Sequence, residues 1–167
     1  MGNFENDENY SILTKDILEN EKFYKIKNIE HHGIDKLTHS MRVSYYAYRI
    51  AKVLGLDYQA VARAGLLHDF ALNKKGRNFK EKFIDTFTHP KQAEKNASEL
   101  FFLSDMEKNI IKSHMFPFYT TLPRYAESWL VVLTDKTIGA LEFCNKFWNY
   151  AVYATNFYIL VLFNVVK

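Results

Sequence analysis

Six residues of types that hold metals recur along the chain in a regular order: His39, the doublet His68-Asp69, His89, His114 and Asp135. Each is separated from the next by about the length of one helix and its connection. A lone histidine is more often a satisfied structural residue than a ligand. The surroundings of these change that reading. His68 and Asp69 close the apolar run AVARAGLL, where a carboxylate has to be paired or bound to a cation. Asp135 follows LVVL, with Ile138 and Leu141 close behind, so an uncompensated charge there would cost several kcal/mol. Imidazoles mixed with carboxylates suit first-row metals (Fe, Mn, Zn, Ni or Co), whereas an all-oxygen set would indicate Mg or Ca. His39, His68, Asp69 and Asp135 suffice for one ion. His89 and His114 offer a second ion two more ligands, with Asp69 bridging. Two ions about 3.5 to 4 Å apart can share a hydroxide and clamp a phosphoryl group. Since each histidine must be neutral to bind, acid should strip the metals, and on this division of ligands the second ion should leave first.

The elements that must position these residues read as helices throughout. From Leu37 to Leu54, Val43, Ala47, Ile50, Ala51 and Leu54 recur at helical spacing, and Gly55 is a stop. Asp57 can cap a second helix carrying Ala60, Val61, Ala64 and Leu67, which ends near Asp69. The polar, basic stretch NKKGRNFKEK reads as a surface loop. Pro90 has the character of a first helical position, which would put His89 at the mouth of its helix. Ser104 and Glu107 form a capping box ahead of Ile110, Ile111 and His114, and Pro117 closes that helix. A further helix is expected from about Tyr125 to Phe143. After it comes an aromatic segment, Phe147 to Val166, without charge. Its asparagines and tyrosines argue against a membrane span and for a core helix or a subunit contact in a homodimer. No strand alternation or internal repeat is visible.

Composition leaves one class open. With 167 residues, 48% apolar, 25% charged, six Gly and three Pro, the chain is expected to form a single globular domain over 1–167. The net charge of +3 is scattered, so a nucleic-acid duplex is not an expected partner. The single cysteine, Cys144, reads as a packing residue rather than a disulfide partner. The N-terminal MGNFENDENY matches neither a secretory signal nor the myristoylation pattern, which points to the cytoplasm.

In order and context, the segments THSMRVS, AGLLHDF, FTHP, HMFP and LTDK resemble the HD domain superfamily, named for the His-Asp doublet. The likeness spans roughly Leu37 to Glu142. It implies an all-α helical bundle with the metal site at its centre, and hydrolysis of phosphate esters, often of nucleotides. His89 and His114 are similar to the extra histidines of two-metal members. Members that cleave cyclic dinucleotides carry a Gly-Tyr-Pro motif, which this chain lacks. Many relatives place a lysine three residues after the doublet's aspartate, where Leu72 stands here. The diadenosine tetraphosphate hydrolases are similar in ligand order but differ after the fourth histidine.

The expected reaction is attack by a metal-activated water on the phosphorus of a nucleotide or other small phosphorylated metabolite, with Asp69 at its centre. Arg42, Lys74, Lys75 and Arg77 are the candidates for neutralising phosphate charge, and His32 for lining the entrance. Arg42 could equally meet a carboxylate on a neighbouring helix, and Lys136 is expected in an ion pair. Two rival functions use the same ligands: a di-iron oxygenase and a non-catalytic nucleotide sensor.

Overall fold

A computed structural model describes residues 3–31, 34–71 and 79–165. Helices α1 (Glu8–Leu18) and α2 (Glu21–Tyr24) precede a short antiparallel ribbon in which β1 (Glu30–His31) pairs with β2 (Ile34–Asp35). Two-residue strands are too short to show alternation, which is why the sequence reads as helix alone. Then come α3 (Lys36–Leu54), α4 (Tyr58–Leu67), α5 (Phe79–Leu100), α6 (Asp105–Ser113) and α7 (Ala126–Val165). The architecture is an all-α bundle in which α3 packs on α4 and α7, and α6 packs on α4, α5 and α7.

Local chemistry sets most of the helix ends. The Asp35 carboxylate accepts from the Thr38 amide at 2.9 Å and opens α3. Gly55 closes it at φ +69°, a left-handed conformation that only glycine adopts cheaply. Asp57 caps α4, and the capping box of Ser104 and Glu107 starts α6. Val43, Ala47, Ala51, Val61, Ala64, Leu67, Ile110 and Ile111 are fully buried and form one core with α1, α2, α5 and α7. The helices α3 and α4 cross closely at Gly65, where a Cβ would come within 3.1 Å of the Ser44 Cα.

Four expectations are corrected. Pro90 lies inside α5 rather than at its start, so His89 is well within the helix; a proline is tolerated there at the loss of one backbone hydrogen bond. Ile50 and Leu54 share the α3 periodicity but are 42% and 61% exposed, because the apolar stripe is wider than the face that α4 and α7 cover. The helix from Tyr125 and the aromatic segment are one continuous helix, α7, since neither Gly nor Pro interrupts the chain after Gly139. Nor do the described side chains of that segment enter the core: between Phe143 and Thr155 none of them is buried. Among the described residues, no helix is long and apolar enough to cross a membrane.

Candidate metal centre

His68 and His114 occupy equivalent places, each the residue that ends its helix. Their Nδ1 atoms donate to carbonyls of the preceding turn, His68 to Gly65 at 2.7 Å and His114 to Ile111 at 2.8 Å. Helix C-termini leave carbonyls without partners, and each ring satisfies one. A carbonyl can only accept, so Nδ1 carries the hydrogen in both rings and Nε2 points a lone pair forward. The two rings meet edge to face, 4.9 Å between centroids.

Around them lie two groups whose ligand atoms converge: His39, His68 and Asp135, and Asp69, His89 and His114. Asp135 comes from α7. Its Oδ1 lies 3.0 Å from His39 Nε2 and 3.5 Å from His68 Nε2. In the second group His89 Nε2 lies 2.9 Å from His114 Nε2 and 3.5 Å from Asp69 Oδ1. All six residues singled out in the sequence therefore meet in one place, at the junction of α3, α4, α5, α6 and α7. Asp69 falls with His89 and His114, and the contact of the His68 and His114 rings joins the two groups.

This donor set fits a divalent cation. The His68 lone pair faces the Asp135 carboxylate at 3.5 Å, an arrangement that a positive charge between them reconciles. Burial and the neighbouring His68 and His89 push His114 down to about 3, so its ring stays neutral and able to bind. Burial would raise Asp135, but the hydrogen bond from His39 and the neighbouring His68 and His114 rings hold it ionised, well below the usual carboxylate range.

Three more residues complete the centre. Glu142, two turns beyond Asp135 on α7, accepts from His39 Nδ1 at 2.8 Å and from Arg42 at 2.9 Å. It orients His39 as a carboxylate behind a metal-binding imidazole does. Although burial would raise Glu142, those two partners hold it low. Lys36, one turn before His39, has a buried side chain and places Nζ 3.2 Å from Asp69 Oδ1. Sequence reasoning missed both, although the signals were present: Lys36 and Glu142 stand at helical spacing from His39 and Asp135. Among the described residues Lys136 makes no ion pair; its Nζ donates to the His114 carbonyl at 3.1 Å, and burial lowers its pKa. A 100° step from Asp135 turns it to the end of α6.

Of the proposed phosphate contacts, the structure gives Arg42 the carboxylate partner rather than a free guanidinium. Lys74, Lys75, Arg77 and the His32 side chain lie outside the described residues. Glu142→Gln keeps the shape but weakens the hold on His39. Metal affinity is expected to fall about 10- to 100-fold with little change in fold, measured by competition with a chromogenic chelator.

No curated protein and no solved structure gives a match. A family model, the HD domain, matches residues 37–140, from the start of α3 to two residues short of Glu142. The match covers more than half of the chain and takes in every residue of the two converging groups, so the chain belongs to the HD domain family, in the superfamily of metal-dependent phosphohydrolases.

Proposed function

We propose that this chain is a phosphohydrolase that cleaves a phosphate ester or anhydride of a nucleotide or other small phosphorylated metabolite, using two divalent ions. The observation that carries this reading is the pair of three-residue groups back to back, sharing the contact between His68 and His114. His39, His68 and Asp135 would hold one ion; Asp69, His89 and His114 would hold the other, with Asp69 able to bridge. When bound, the metals acidify water and offset phosphate charge.

The protein's own part is orientation and charge. Glu142 and the carbonyls of Gly65 and Ile111 fix three of the imidazole rings, so that the ligand set is preorganised. Lys36 keeps a cation 3.2 Å from Asp69 in a site with little water, where it can partner either the carboxylate or an arriving phosphate oxygen. Lys74, Lys75 and Arg77, on the connection between α4 and α5, are further candidates for the phosphate.

The test is metal analysis of protein purified without chelator, joined to phosphate release from a panel of nucleotides and phosphorylated metabolites. Two ions per chain are expected in the native protein and close to one in His89→Ala and His114→Ala, with helical content kept. Unchanged metal content in both variants would make these structural histidines. Substrate-dependent oxygen uptake without phosphate release would move the site to oxygen chemistry.

A further inference from the structure

On the outer side of the Arg42–Glu142 pair, a groove of about 700 Å³ runs between α3 and α7. Tyr46 and Ile50 form one wall, Leu133, Thr137 and Leu141 the other, and the paired Arg42 and Glu142 lie among its lining. Because that pair neutralises itself, the groove is apolar and without net charge. The same helix supplies a surface to match. Past Glu142, α7 continues to Val165, about 34 Å of helix at 1.5 Å per residue. From Phe147 to Val166 the sequence has no charged residue. Trp148 is 69% exposed there, yet water is a poor solvent for it.

The two surfaces lie on one stripe. Leu130, Leu133, Thr137, Leu141, Cys144, Trp148 and Val152 follow at steps of three and four, which places them along one side of α7. The first four border the groove and the last two lie beyond it. We propose that the groove binds the protruding half of α7 from a second copy of this chain. The two α7 helices would run antiparallel about a two-fold axis near Cys144. Such a pairing is self-complementary: Leu141 meets Trp148 of the second copy, and Thr137 lies level with its Val152.

Area and charge favour this occupant. Tyr46, Ile50, Leu133, Leu141, Trp148 and Val152 are 41% to 69% exposed. Together they offer on the order of 600 Å² per chain, towards the roughly 800 Å² that each partner buries in a stable complex. A helix lying on an anionic membrane would carry Lys or Arg along its polar face, and this stretch has none before Lys167. Docking also covers Arg42, whose side chain is 35% exposed, and so shields the Glu142 carboxylate that orients His39.

The experiment uses the full chain at low micromolar concentration. Light scattering behind gel filtration is expected to give twice the chain mass. A short bis-maleimide is expected to link the exposed Cys144 of one copy to that of the other. Leu141→Glu and Trp148→Glu, both at exposed positions, should weaken association at least 100-fold and abolish the cross-link while leaving helical content unchanged. Cys144→Ser should lose the cross-link and keep the mass. A monomeric native protein overturns the proposal, and monomers that sediment with phosphatidylcholine vesicles would assign the stripe to a membrane instead. A dimer that survives both charged variants, or that does not cross-link through Cys144, places the interface elsewhere.

Discussion

Asp69→Asn is expected to empty the group formed with His89 and His114 and to lower phosphate release by about a thousandfold or more, the scale of losing metal assistance to a hydrolysis. The substitution keeps the volume of the side chain and removes the charge that a cation needs. It also leaves the buried Lys36 ammonium facing a neutral amide at a distance where it had a carboxylate at 3.2 Å. Removing one partner of a buried pair costs roughly 3 to 5 kcal/mol, so Asp69→Asn should unfold at lower temperature than the native protein. The double variant with Lys36→Met separates the two effects: it should recover much of the stability and none of the activity. Full metal content in Asp69→Asn, measured by elemental analysis, would remove Asp69 from the ligand set and with it the bridging role.

The second large effect is on pH, and the surroundings of the metal-free histidines favour the opposite order to the one expected from ligand counts. Burial would lower His39, but hydrogen bonds from its two ring nitrogens to Glu142 and Asp135 outweigh it and raise the metal-free ring to about 9. A metal taking Nε2 must displace that proton, whereas His114, at about 3, has none to lose. The ion held by His39, His68 and Asp135 should therefore be the one whose apparent affinity falls about tenfold per pH unit below 9, close to a thousandfold from pH 8 to pH 5. The His114→Ala variant isolates this group. Its metal titration should show that slope, with about one proton released per ion bound at pH 7. A flat profile would mean that His39 carries no proton before metal arrives.

The metal-free protein should show the linked change in stability. A group whose pKa is raised on folding contributes fully below its unfolded value of about 6.5 and loses that contribution as pH rises through its folded value. For His39 the window runs from about 6.5 to about 9 and is worth about 3 kcal/mol. Thermal unfolding of chelator-treated protein should fall across that window, and metal-loaded protein should not follow it.

What the sequence by itself determined is what depends on neighbours a few residues away. The caps at Asp35, Asp57 and Ser104 and the stop at Gly55 act over one to three residues: the first puts His39 in the first turn of α3, and the others fix where α3 ends and where α4 and α6 begin. The order of the candidate ligands, with about one helix between successive motifs, was legible for the same reason, as was the all-α HD fold. What only the tertiary structure decided is pairing across long separations. Glu142 reaches His39 over 103 residues, and Lys36 reaches Asp69 over 33, and neither partner is implied by periodicity within a single helix. Likewise the sequence showed an apolar stripe on α3 but not that Ile50 and Leu54 would stand outside the cover of α4 and α7. It showed an uncharged aromatic segment, yet whether such a segment enters the core depends on where the bundle ends. The bundle ends at Glu142, and α7 runs on because its backbone hydrogen bonds are satisfied within the helix whether or not anything packs against it.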